Sequence, residues 1–181
     1  MSRTTALILA PTILGTLLAF SNWRLIRENR RLGEQAQFYA SLRHTPEGIL
    51  LPGLHGKGLD GRDLTISYGN VNQETLLFVF SPTCPHCKRN WPVWLDLARQ
   101  AAGKRVVFVN AGGPLPPHFG DIYSFDSRIV LADTSPESIL RYSFFETPLT
   151  ILVSPQGRCE KVWAGELGTE RAQQISSEVT K

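Results

Sequence analysis

Leu76-Leu77-Phe78-Val79-Phe80-Ser81-Pro82-Thr83-Cys84-Pro85-His86-Cys87-Lys88-Arg89 is the stretch on which the reading of the fold turns. Leu76 to Phe80 is an apolar run of the length of a buried strand, Ser81-Pro82-Thr83 breaks it, and a helix-like segment follows the cysteines. A helix N-terminus presents unsatisfied N–H groups and the positive end of the helix dipole, both of which stabilise a thiolate. A Cys-x-x-Cys pair at such a junction makes Cys84 a nucleophile, with Cys87 one turn on and close enough to resolve a mixed disulfide. A structural zinc site would need a second pair of Cys or His ligands at similar spacing, and only Cys159 remains among the thiols. A purely structural Cys84–Cys87 disulfide would close too short a loop to add much stability.

Outward from this motif, the 181 residues suffice for one ordinary core plus an appendage. With 42% hydrophobic and 19% charged residues, wholesale disorder is excluded, and three cysteines do not make a disulfide scaffold. The net charge of +3 is modest and its arginines cluster after the first apolar stretch, so no nucleic-acid surface is expected.

Thr5 to Phe20 is apolar apart from threonines and carries no charge. As a helix it spans roughly 24 Å and, continued through Asn22 and Trp23, approaches the roughly 30 Å of a bilayer core. No small-x-small cleavage site follows, so residues 1–23 are expected to be an uncleaved transmembrane anchor with Trp23 at the interface. Arg24, Arg27, Arg30 and Arg31 lie just beyond, which by the positive-inside rule argues for a cytoplasmic domain. Residues 24–47 read as a charged helical stalk, ended by Pro46 and Gly48.

From Gly48 the chain is expected to fold. Asp60-Gly61 marks a hairpin turn, with Leu64-Thr65-Ile66 returning. The glycine-rich run around it lacks the spacing and following helix of a phosphate loop, and His55 reads as a loop residue. The helix after the cysteines continues through Trp91 and Ala102, with a kink expected at Pro92. Arg105 to Asn110 is a second buried strand and Arg128–Ala132 a short third. Asp133 to Phe145 reads as a helix capped by Ser135 or Thr134, with Pro136 in its first turn. Thr147-Pro148 precedes a strand, Pro155-Gln156-Gly157 turns it into a hairpin through Trp163, and Glu166 to Lys181 closes as a helix. Alternating strands and helices ending in a hairpin imply an α/β fold, a mixed sheet with helices on both faces.

This order, with Ser81-Pro82-Thr83-Cys84-Pro85-His86-Cys87-Lys88 and Thr147-Pro148-Leu149-Thr150-Ile151-Leu152-Val153, resembles the thioredoxin fold over residues 48–181. More narrowly it is similar to the membrane-anchored TlpA/ResA-like thiol–disulfide oxidoreductases and to methylamine dehydrogenase accessory proteins of the MauD type. The resemblance implies that Cys84 is the exposed nucleophile and Cys87 the buried resolving thiol. It makes Pro148 a cis-proline facing them, with the Thr147 backbone offering hydrogen bonds to a bound polypeptide. It further implies protein dithiol or disulfide substrates, a membrane or soluble electron-donor protein, no cofactor and an extracytoplasmic redox domain, against the arginine count. Pro85-His86 is also the dipeptide between the cysteines of the oxidant DsbA, where a donor at His86 would favour the thiolate. Only about sixty residues separate Cys87 from Pro148, too few for the helical insertion of a DsbA-like protein.

Two departures shift the expected role toward a specialised or oxidising one. The strand before the cysteines contains no acid, and the position three residues after Cys87, often glutamate in TlpA/ResA-like proteins, is Asn90. A second function class uses the same cysteines with His118 to carry a soft ion such as Cu(I). A peroxidase of the peroxiredoxin type is excluded, because Pro82-Thr83-Cys84 does not supply its Pro-x-x-x-Thr-x-x-Cys pattern. Cys159, in the hairpin, is expected to be a small apolar filler.

Overall fold

In the computed structural model the described residues are 15–16, 18–32, 45–70, 72–123 and 129–180. The chain divides into two compact units, residues 1–41 and 42–181. In the first, a helix (α1, residues 18–32) is exposed along its length, and Arg27 lies 4.4 Å over the Trp23 ring. Among the described residues no helix is long and apolar enough to cross a membrane. Most of the expected anchor, and residues 33–44 of the expected stalk, lie outside the described residues.

The second unit is built on a five-stranded sheet of order β5-β4-β3-β7-β8. Its strands are β3 (Thr75–Phe80), β4 (Arg105–Asn110), β5 (Ile129–Leu131), β7 (Leu149–Val153) and β8 (Cys159–Ala164). Central β3 pairs in parallel with β4 and antiparallel with β7, so every residue of it is buried. This is why Leu76 to Phe80 reads as a continuous apolar run rather than an alternation. A second sheet, β2-β1-β6, joins β1 (Leu54–Lys57), β2 (Asp63–Ile66) and β6 (Asp133–Thr134). The β1–β2 hairpin turns where Gly61 has φ +75°, at the predicted Asp60-Gly61 step.

The sheet separates two apolar clusters. On one face Leu76, Phe78, Phe80 and Phe108 pack against α2 (Pro85–Gln100) and α5 (Thr169–Val179). Its centre is aromatic: Trp94 lies 5.4 Å from Phe78 and 5.4 Å from Trp91, and Trp91 lies 5.1 Å edge-on to Phe80. On the other face Leu77, Val79, Val107 and Val109 meet Leu54, Ile66, Tyr142 and Phe144. That face is covered by α4 (Pro136–Arg141) together with the small sheet, so helices flank the main sheet on both faces as expected.

The expected 133–145 helix is shorter than predicted for a local reason. Asp133 and Thr134 are drawn into β6 by pairing with Lys57 and Gly56, so the helix begins only after Ser135, whose hydroxyl accepts from the Ser138 N–H. It ends at Tyr142, because Ser143 takes a positive φ of 53°. Helix α2, by contrast, runs through Pro92 without ending. A short helix, α3 (Phe119–Tyr123), follows the β4 loop.

Trp94 ties helix to sheet, being fully buried with its indole N–H donating to Thr150 Oγ1 at 2.9 Å. Trp94→Ala is expected to cost about 3–5 kcal/mol through the cavity it leaves, with the orphaned Thr150 hydroxyl adding to the loss. Urea unfolding of the variant beside the parent chain checks this.

Candidate active site

The junction of β3 and α2 forms the site because its residues satisfy a helix start. Cys84 is the N-cap, with extended backbone angles, and Pro85 opens the first turn, where a missing N–H costs nothing. The Cys87 N–H points at Cys84 Sγ at 3.4 Å, so the sulfur occupies the place of the usual capping oxygen. Cys84 is partly exposed and Cys87 buried, and both are free thiols.

The two sulfurs differ in acidity for identifiable reasons. Burial opposes ionisation of Cys84, but hydrogen bonds from Cys87, from its backbone N–H and from that of His86 outweigh it and hold the Cys84 pKa below the ordinary thiol value. Burial pushes the Cys87 thiol up to about 12, and the neighbouring Cys84 adds to the rise. An activated, reachable sulfur therefore stands beside a protonated, sheltered one.

Thr147 and Pro148 come to the same place from the other side of β3. Antiparallel pairing of β3 with β7 places the start of β7 against the cysteine loop. The Thr147–Pro148 peptide is cis, and the Thr147 carbonyl accepts from Cys84 Sγ at 3.4 Å. Thr147 is half-buried and Pro148 buried.

One residue whose role the sequence did not disclose completes the surroundings. Glu166, in the β8–α5 loop, lies 3.0 Å from His86 Nδ1 and accepts from Arg89 Nε at 2.9 Å. These hydrogen bonds, from His86 first and then Arg89, hold the Glu166 carboxyl below the usual carboxylate range. The signal lies in the hairpin register: Leu149 pairs with Ala164, so an acid two residues on falls opposite Thr147, beside the cysteine loop.

The remaining candidates lie elsewhere. His118 is exposed at the β4–α3 loop, 3.3 Å from Asp121, and no three His, Cys, Asp or Glu side chains converge on a metal-sized site among the described residues. The soft-metal alternative thus lacks a ligand set there. Cys159 is fully buried in the cluster on the far face of the sheet from Cys87, and burial pushes its thiol up to about 12. A groove of about 900 Å³, lined by Asn110, Leu115, Phe119, Thr134 and Ile139, opens beside the site and contains no cysteine.

The arrangement matches known architecture. The chain has the thioredoxin fold. Among solved structures it is similar to MTB dsbF in its mixed oxidized and reduced forms, at 23% identity over 70% of this chain and 94% of that one, with TM-score 0.58. StoA from Bacillus subtilis is similar at 22% identity over 76% and 99%, with TM-score 0.52. A thiol:disulfide interchange protein of the thioredoxin family from Chlorobium tepidum follows at 16% identity over 75% and 99%, with TM-score 0.58. No family model matches the sequence, and no curated protein matches it. A fold of this kind brings the end of β3, the start of α2 and the start of β7 to one point, which here is the Cys84 sulfur.

Proposed function

We propose that the protein is a thiol–disulfide oxidoreductase acting on protein partners, with Cys84 as nucleophile, Cys87 as resolving thiol, and Pro85, His86, Thr147 and Pro148 supporting them. The observation that carries this reading is the asymmetry of the pair: an activated, accessible Cys84 at a helix N-terminus beside a buried Cys87 held up to about 12.

In the reducing direction the Cys84 thiolate attacks one sulfur of a partner disulfide. A Cys84–partner bond forms, and the other partner sulfur leaves with the electron pair and takes up a proton. Once Cys84 is covalently engaged, its hydrogen bond and charge no longer raise the Cys87 pKa, and Cys87 ionises more readily. Cys87 then attacks Cys84, forming the intramolecular disulfide and releasing the second partner thiolate. Two electrons have passed to the partner, and an electron-donor protein, membrane-bound or soluble, returns the pair to the dithiol. The Thr147 backbone, beside the sulfur, is suited to hydrogen-bond the partner's extended chain.

Residues 48–181 form the redox domain in this reading, held by residues 1–23 at a membrane with the domain outside the cytoplasm, where it reduces or matures extracytoplasmic proteins. The apolar run Thr5 to Phe20 and the likeness to an exposed lipoprotein thioredoxin of Streptococcus pneumoniae support that placement. Reduction of insulin by the full chain, followed as turbidity with dithiothreitol as donor, tests the activity. Turbidity that develops well ahead of the dithiothreitol blank is expected; a lag equal to the blank would refute the proposal.

A further inference from the structure

Asn90 occupies the position from which an acid is absent, and it is completely buried. Its Oδ1 accepts from the Leu167 N–H at 2.9 Å and its Nδ2 donates to the Gly165 carbonyl at 3.3 Å. Both backbone neighbours of Glu166 are thus pinned to α2. Gly165 adds a third tie, its N–H donating to the Pro148 carbonyl at 2.8 Å from a left-handed φ of 86° that a side chain would strain. Glu166 is therefore delivered to the mouth of the site by a fixed backbone.

There its carboxylate meets Arg89 Nε at 2.9 Å through both oxygens and His86 Nδ1 at 3.0 Å. Arg89 Nη2 also lies 2.8 Å from the same Nδ1. A single ring nitrogen either accepts from the guanidinium or donates to the carboxylate, so in either protonation state Nδ1 is committed to this cluster. His86 lies two residues from Cys84, and its own backbone N–H faces the Cys84 sulfur. Arg89 is one helical turn from His86, and Lys88 stands exposed between them.

We infer that Glu166 is a positioning residue that neutralises Arg89 and holds His86, making the Cys84–Cys87 pair more reducing than its Pro-His sequence alone would be. This inference rests on the exchange reading above and deepens it. The sign follows from charge. A thiolate is stabilised by nearby positive charge and donors, and stabilising the thiolate stabilises the dithiol state and raises the potential. Glu166 offsets that positive field. The ion pair is half-exposed and screened, so its contribution to folding stability is small. Its effect is expected in the redox equilibrium.

The test compares the full chain with E166Q, H86A and the double variant, each equilibrated with glutathione redox buffers, with iodoacetamide trapping of Cys84 at fixed pH in parallel. E166Q is isosteric and exposed, so it folds. It is expected to shift the equilibrium roughly tenfold toward the dithiol, about 30 mV upward for a two-electron couple, and to speed alkylation of Cys84. In the H86A background the same substitution is expected to lose most of that shift. An E166Q equilibrium within threefold of the parent, a shift toward the disulfide, or an undiminished shift without His86 overturns the inference. A parent pair that does not equilibrate overturns the exchange reading along with it, whereas an equilibrating parent matched by E166Q overturns this inference alone.

Discussion

Cys84→Ser is expected to abolish disulfide exchange, while Cys87→Ser stops it halfway. The serine hydroxyl at position 84 is not ionised at neutral pH and is a poor nucleophile toward sulfur, so turnover falls on the order of 10³-fold or more. Cys87→Ser leaves the N-cap, the helix N-terminus and the Thr147 contact of Cys84 in place, so the first attack proceeds. The second does not. Intramolecular resolution draws on the high effective concentration of a neighbouring group, on the order of 10⁵ M or more for a well-oriented pair. A millimolar external thiol replaces it poorly. The Cys87→Ser chain therefore accumulates a partner-linked mixed disulfide through Cys84, visible as a slower band on non-reducing gels and lost with dithiothreitol. The reverse pattern, with adducts through Cys87 and turnover surviving Cys84→Ser, would exchange the two roles.

The second large effect is a contrast in thiol reactivity within one native chain. A thiol held at about 12 is thiolate in only about 10⁻⁴ of molecules at pH 8, and both Cys87 and Cys159 are in that condition. The Cys84 pKa is lowered, so a larger share of it is thiolate than of an ordinary thiol, and it alone is partly exposed. Iodoacetamide on the native, reduced protein is therefore expected to label Cys84 on the order of 10³-fold faster than either other cysteine, and all three at similar rates in guanidinium chloride. Lowering the pH from 8 to 7 should slow Cys84 by a smaller factor than it slows a free thiol, since its pKa lies below that of a free thiol. Peptide mass mapping over time measures all three rates. Comparable labelling of Cys84 and Cys87 in the native state would remove the asymmetry on which the mechanism depends.

What could be read in the sequence follows from where the determining physics is local. Leu76 to Phe80 is buried on both faces, and a five-residue apolar run records that directly. The helix start at Cys84-Pro85, the Asp60-Gly61 turn and the Pro155–Gly157 turn are each set by a few adjacent residues. The misread portion was Asp133 to Phe145. Its cap signal at Ser135 is real, but Asp133 and Thr134 pair with Lys57 and Gly56, nearly eighty residues away, and no local pattern announces that. Helices on both faces followed from the alternation of strands and helices, but β1 and β2 look like an isolated hairpin until the β6 pairing fixes them into a second sheet beside α4.

The site divides along the same line. Cys84, Cys87 and Pro148 stand in motifs with a chemical reason, and their residue types alone single them out. Asn90 registered only as a missing acid, yet it is the residue that pins the loop carrying Glu166. Glu166 is 80 residues from His86 in the chain, and its approach depends on the β7–β8 register together with the tie between Gly165 and Pro148. Such a convergence is a property of packing. The charge balance around the nucleophile could not be weighed before Glu166 was placed.

Equilibration of the full-length chain across a series of glutathione redox buffers, with acid quenching and intact-mass analysis, tests the central claim most directly. The account predicts one two-electron transition between the dithiol and a Cys84–Cys87 disulfide, with Cys159 reduced throughout. A chain that passes through the whole series without forming that disulfide, or that forms it only with Cys159, would contradict it.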